Sequence, residues 1–151
     1  DIGCYTLGAF HPFRDIDTCV DMGASITMAK GAADGGLFPS IAVIGDSTFT
    51  HSGITGLLDA VNSKVNITVV ISDNLTTAMT GGQDSAGTHK LVEICLGVGV
   101  EKEHVREVIP LPKNMEQIKQ TIKEEIVYNG VSVIIPRREC IQTLKRNKKK
   151  K

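Results

Sequence analysis

The chain has 151 residues, enough for one domain with a sizeable core, and its 17 basic and 17 acidic side chains cancel. That balance excludes a strong field aimed at nucleic acid or a membrane surface, and no apolar run approaches the ~20 residues that span a bilayer. Tryptophan is absent and aromatic residues make up 4% of the sequence, so the interior has to be built from Ile, Val, Leu, Ala and Met, as in packed α/β layers. No secretory signal opens the chain. Cys4, Cys19, Cys95 and Cys140 are scattered, with no Cys-x-x-Cys pair. Such usage argues against zinc or an iron–sulfur cluster within the segment and fits a reducing, cytoplasmic setting. Because it opens on Asp1 rather than Met, the chain is expected to be part of a longer polypeptide or a trimmed piece of one.

In chain order, Asp1 to Ala9, punctuated by Gly3 and Gly8, reads as a strand running into a loop. Asp17 or Thr18 is placed to cap a helix from about Cys19 to Ala33, whose small residues would let it approach a sheet closely. Gly35-Gly36 ends it. The runs Ile41 to Ile44 and Ile67 to Ile71 are apolar and β-branched, as buried parallel strands are. Between them, Ile54, Leu57, Leu58 and Val61 recur at helical spacing within Ser52 to Lys64. A strand–helix–strand unit of this length is a right-handed crossover, so both strands point the same way. Thr76 to Thr88 is a polar, Gly-rich loop, followed by a short helix over Lys90 to Gly97 and a strand over Val105 to Ile109. Asn114 is placed to cap a helix from Met115 to Tyr128, and Val131 to Ile135 is a further buried strand. The pattern predicts an α/β fold with a mostly parallel sheet and helices on both faces. One domain is expected over residues 1–140, with the basic stretch 141–151 a linker or tail without fixed structure.

The two crossover strands end in Gly45-Asp46-Ser47 and Asp73-Asn74-Leu75-Thr76. Both tips emerge at the carboxyl edge of one sheet, where open α/β sheets bind ligands. A carboxylate, an amide oxygen and a main-chain carbonyl make a half-shell of hard oxygens that suits Mg²⁺ completed by phosphate and water. Ser47 and Thr48 add amides and hydroxyls where helix-terminal donors collect anions. Taken singly, Asp46 could equally be a helix cap and Asn74 a turn residue. Their pairing on consecutive parallel strands favours metal and phosphate. No Walker-type glycine–lysine loop and no Gly-x-Gly-x-x-Gly follows a strand, so neither a P-loop nor a dinucleotide site is expected.

The string Gly45-Asp46-Ser47, a helix, a strand and Asp73-Asn74 resembles the diphosphate-binding signature of thiamine diphosphate enzymes, usually Gly-Asp-Gly followed by Asn-Asn. Ser47 and Asp73 depart from it at positions not expected to ligate metal. Thr80-Gly81-Gly82-Gln83 is similar to the 2-oxoacid:ferredoxin oxidoreductases. Four strings together resemble the indolepyruvate branch, its large (alpha) subunit: Asp1 to Gly8, Met22 to Ser25, Gly45 to Phe49 with His51-Ser52-Gly53, and Asp73-Asn74 with Thr77 to Gly81. The resemblance implies the diphosphate-binding (PP) module of the thiamine diphosphate fold. It also implies Mg²⁺ held by Asp46, Asn74 and the Thr76 carbonyl, with cofactor contacts from Cys4, Met22, Gly23, Gly45, Ser47, Thr48, Met79 and Thr80. Met22 would lie against the pyrimidine ring, although a core methionine is the ordinary alternative. Cys4 as a small buried hydrophobe and His51 as a surface or capping residue are likewise ordinary alternatives. His11, His89 and His104 have no constellation in sequence, and Glu93, Glu101, Glu103 and Glu107 read as solvated charge.

The implied activity is oxidative decarboxylation of an aryl 2-oxo acid to its acyl-CoA, with electrons leaving through iron–sulfur clusters elsewhere in a complex to ferredoxin. No match to the activating glutamate occurs here, so the segment is expected to be inert without a pyrimidine-binding domain and a beta subunit. Two other classes stay open at this point. One is a subunit of a non-oxidative thiamine diphosphate-dependent decarboxylase, and the other is a non-catalytic Mg²⁺-binding regulatory module.

Overall fold

The computed structural model describes residues 1–149, side chains of 147–149 excepted. Four parallel strands form one sheet in the order β1-β2-β4-β3: β1 (Ile41–Gly45), β2 (Ile67–Ser72), β3 (Val105–Val108) and β4 (Val131–Pro136). The helices are α1 (Ala24–Asp34), α2 (Asp46–Thr48), α3 (Ile54–Ser63), α4 (Leu91–Gly97), α5 (Met115–Glu125) and α6 (Ile141–Lys149). Strand side chains alternate between faces. Ala42, Ile44, Val69, Ile71, Val133 and Ile135 therefore share one face, where they form the core with Ile26 of α1, Leu57 of α3 and Leu91 of α4. The opposite face meets α5 through polar contacts. Thr68 and Ser132 donate their hydroxyls to the Glu125 carbonyl at 3.1 and 3.3 Å. Helices on both faces of a parallel sheet match the expected class.

Small residues do what their size permits. A side chain at Gly56 would lie 3.2 Å from Thr27 and 3.4 Å from Ile26, so glycine there sets how closely α3 crosses α1. α3 ends where Lys64 adopts a left-handed φ of 55°. Helical structure, expected within Ser52 to Lys64, already begins at Asp46, but not smoothly. Phe49–Gly53 forms a wide π turn between α2 and α3. Such turns carry one extra residue and concentrate at functional sites. Here the turn drives Phe49 fully into the core and leaves Ser52 facing Gly23.

Several expectations are corrected. Cys4–Ala9 is a 3-10 helix rather than a strand; the Thr6 amide donates to the Gly3 carbonyl at 3.0 Å and the Gly3 amide to the Thr6 hydroxyl at 2.8 Å. α1 begins at Ala24, not Cys19, because Gly23 takes a φ of 101° that no helix can contain; Asp17 and Thr18 cap nothing. α5 stops at Glu125 rather than Tyr128; Asn114 stands at its N-cap position as expected, but its side chain makes no cap bond and its amide donates to the Ile109 carbonyl at 3.0 Å. The chain from Ile141 to Lys149 is helical rather than an unstructured tail. The Cys140 amide donates to the Asn74 carbonyl at 3.1 Å, and Arg146 donates to the Gly81 carbonyl at 3.3 Å. Residues 150 and 151 of the expected tail lie outside the described residues.

His104, isolated in sequence, has a constellation in space at the amino edge of the sheet. Glu125 is 1% exposed, and its carboxylate lies 2.8 Å from His104 Nδ1 and 3.0 Å from Arg106. The His104 ring stacks on Tyr128 with centroids 3.4 Å apart. Pairing both oxygens offsets the cost of burying that carboxylate. At the other end of the sheet order, the outer edge of β1 is unpaired among the described residues. A cavity of about 390 Å³ runs between that edge, α1 and the N-terminal segment. Ile41 stands 48% exposed there. No helix among the described residues is long and apolar enough to cross a membrane.

Candidate functional site

β1 runs out at Gly45, and Asp46 is the first residue of α2. Its side chain is therefore fixed at the carboxyl edge of the sheet, 3% exposed. Oδ2 of Asp46 is buried and has no hydrogen-bond partner among the described residues. Burial pushes this carboxyl up to about 6; the Ser47 amide pulls the other way, and the negative charge of Asp73 adds to the rise. An unpartnered carboxylate oxygen inside a fold is costly. A cation is the ligand that offsets it.

The register pairs Gly45 with Ser72, so Asp46 and Asp73 follow side by side on adjacent tips. Past Asp73 the chain turns sharply. Asn74 Oδ1 accepts the Thr76 amide at 3.1 Å, and Leu75 takes a left-handed φ of 61°. The Thr76 hydroxyl donates to the Gln83 carbonyl at 3.0 Å, and the Thr77 amide to the same carbonyl at 2.7 Å. The Thr77 hydroxyl donates to Ser47 Oγ at 3.3 Å and ties the two tips together. Asp46, Ser47, Asn74 and Thr76 thus share one rim, with Gly45 and buried Thr48 beneath it.

The N-terminal segment closes one side. Asp1 accepts the Gly23 amide on Oδ1 at 2.7 Å and the Tyr5 hydroxyl on Oδ2 at 2.9 Å. The Tyr5 ring lies against Gly45, and burial pushes its phenol up to about 12. A Cβ on Gly23 would stand 2.2 Å from Ser52 Oγ, in a backbone conformation that L residues avoid. Gly23→Ala is expected to destabilise the domain by about 1–3 kcal/mol through that strain, read as a lowered melting temperature. Met22 is carried beside this junction and stays half exposed. Cys4, Met79, Thr80 and His51 are exposed, and among the described residues none bonds Asp46 or Asn74. The Thr80 hydroxyl donates instead to Gln83 Oε1 at 2.9 Å.

Sequence reasoning missed Asp1, Tyr5 and Ser52, which tie the N-terminal segment to the rim. It also missed Arg137, whose Nε donates to Asp73 Oδ2 at 2.6 Å and whose guanidinium pairs with Glu107. The signal available was the buried acid Asp73 at a strand tip, which demands a cation from somewhere. No cluster of three or more His, Cys, Asp or Glu side chains able to hold a metal occurs among the described residues. A cation at Asp46 would therefore share amide, main-chain and ligand oxygens, as Mg²⁺ bound with a phosphate does.

The profile of the thiamine pyrophosphate enzymes' C-terminal TPP binding domain matches residues 1–135. The chain belongs to this family. Indolepyruvate oxidoreductase subunit IorA of Pyrococcus horikoshii is 35% identical across 93% of this chain and 25% of its own length. The protein of the same name from Thermococcus kodakarensis is 37% identical across 93% of this chain and 25% of its own length. This TPP-binding domain thus spans about a quarter of the length of these relatives. A 2-oxoglutarate:ferredoxin oxidoreductase from Magnetococcus marinus superposes with a TM-score of 0.62 over 79% of this chain and 46% of that chain. Its sequence is 19% identical, so it bears on the fold alone. The similarity to indolepyruvate oxidoreductases agrees with the branch that the motifs resemble.

Proposed function

We propose that this TPP-binding domain is the Mg²⁺- and diphosphate-holding part of an oxidoreductase acting on aryl 2-oxo acids. The product is the acyl-CoA, and ferredoxin takes the electrons. The observation that carries the reading is the unpartnered, buried Asp46 oxygen beside the Asn74–Thr76 turn. Asp46 and Asn74 would hold Mg²⁺ by side-chain oxygens and Thr76 by its carbonyl. Gly45, Ser47 and Thr48 would face the diphosphate. Met22 and Gly23 would face the pyrimidine end, and Cys4, Met79 and Thr80 the open side of the cofactor. Bound thiamine diphosphate supplies the carbon nucleophile and electron sink for decarboxylation. This chain's residues bind and orient it. Nothing in the sequence matches the activating glutamate, so on this reading a pyrimidine-binding domain, a beta subunit with iron–sulfur clusters, and ferredoxin complete the work. The four free cysteines support a reducing, cytoplasmic setting.

Because the Asp46 carboxyl is neutral below about 6, cation affinity is expected to fall roughly tenfold per pH unit under that value and to level off above it. Titrating Mg²⁺ by calorimetry in the presence of the cofactor between pH 5 and 8 checks this. The function is tested on the complete complex with indolepyruvate or phenylpyruvate, coenzyme A and methyl viologen. Dye reduction with acyl-CoA formation, dependent on thiamine diphosphate and Mg²⁺, is expected. Carbon dioxide released with an aldehyde and no dye reduction would establish the non-oxidative reading instead.

A further inference from the structure

We propose that Arg137 is a positioning residue that keeps the second carboxylate of this rim, Asp73, out of the cation site. The inference rests on the reading above and goes beyond it, because Arg137 touches none of the residues assigned to the cation or the cofactor.

Asp73 is 2% exposed and directly follows β2, one step from Asp46 across the sheet. Two buried carboxylates at neighbouring tips would compete for one cation and would repel the diphosphate together. The structure assigns them different fates. Both oxygens of Asp73 are engaged: Oδ2 by Arg137 Nε at 2.6 Å, and Oδ1 by the Leu75 amide at 3.1 Å. Oδ2 of Asp46 has no hydrogen-bond partner among the described residues. Arg137 itself is held in place by more than this pair. Its amide donates to the Val108 carbonyl at 2.9 Å, and its guanidinium also pairs with Glu107 of β3. The Asp73 amide donates to the Pro136 carbonyl at 3.1 Å, and the Arg138 amide to the Asp73 carbonyl at 2.9 Å. Strand pairing thus brings the guanidinium and the carboxylate together.

The same contact reaches the ligand loop. Asp73 Oδ1 holds the amide of Leu75, whose left-handed backbone turns Asn74 and Thr76 toward the rim. Arg137 therefore acts twice: it neutralises a charge that would oppose the diphosphate, and it steadies the carboxylate that braces the turn.

The test uses the complete protein with its natural partners. Calorimetry measures thiamine diphosphate binding at saturating Mg²⁺, and melting curves monitor folding. Arg137→Met is expected to weaken cofactor binding by about 10–100-fold, the range for loss of an outer-shell partner. Asp73→Asn should change it by about threefold or less, because the amide oxygen still accepts the Leu75 N–H and no charge is left to neutralise. The double variant should return to within about threefold of wild type, a rescue that mere packing around Arg137 would not produce. Should Arg137→Met not fold, Arg137→Gln removes the charge with less loss of contact and serves in the same cycle. Wild-type binding in both Arg137 variants, or a double variant no better than the single, would overturn the proposal. Asp46→Asn, run alongside, separates the two levels. If that variant also binds normally, the cation site itself is wrongly placed. If it loses binding while the Arg137 variants do not, the role of Arg137 alone falls.

Discussion

Asp46→Ala is expected to remove Mg²⁺-dependent thiamine diphosphate binding from the complete enzyme, and to do so while the domain stays folded. The reason lies in what Asp46 does in the structure. Its Oδ2 bonds no group among the described residues, so its removal breaks no hydrogen bond found at that oxygen. Burial already raises its carboxyl to about 6, which means the ionised form opposes folding at neutral pH. A raised carboxyl favours the fold below its ordinary range and disfavours it increasingly as pH climbs past 4 toward 6. Without cation, the alanine variant should therefore melt at or above the wild-type temperature at pH 7. Cofactor binding should move the opposite way. Loss of a direct ligand exceeds the ~10–100-fold penalty of losing an outer-shell partner, so a drop of more than about 100-fold is expected. Calorimetry with and without Mg²⁺, beside a melting curve of the cofactor-free protein, reads both quantities. Cofactor affinity equal to wild type would place the cation elsewhere.

Phe49→Ala should have the largest effect on stability, about 3–5 kcal/mol, as a large core aromatic lost without collapse of the site. Phe49 is fully buried and opens the π turn that joins α2 to α3. Its ring and Ile44 of β1 both crowd Gly53, where a Cβ would stand 2.9 and 2.8 Å from them. Out of the ~5–15 kcal/mol that hold a domain together, such a loss is a large fraction. Because the same turn presents Ser52 to Gly23, cofactor affinity should weaken as well, even at temperatures where the variant is folded. Chemical denaturation together with cofactor titration distinguishes this from Asp46→Ala, which spares stability.

The crossover of β1, α3 and β2 was legible because its apolar runs and helical spacing are local patterns. The placement of Asp46 and Asn74 on one rim followed from the handedness of that crossover. What was not legible depended on distant partners. Gly23 could be read as part of a small-residue helix until Ser52 and Asp1 were seen to force its left-handed backbone. Asp73 stood out only as a departure from a motif, since Arg137, 64 residues away, arrives through strand pairing. His104 and Glu125 found each other in the same way across β3 and α5. The basic stretch after Ile141 repels itself when read alone, yet its helix is tethered through Cys140 and Arg146 to the loop beyond Asn74. The extra residue of the π turn leaves no trace in hydrophobic spacing short enough to detect.

The bare flank of β1 has a consequence for how this segment behaves in isolation. With no strand paired to it among the described residues and Ile41 proud of the surface, that edge is an adhesive seam for another ribbon of backbone. The polypeptide on its own should self-associate as its concentration rises, and Ile41→Lys should blunt that habit.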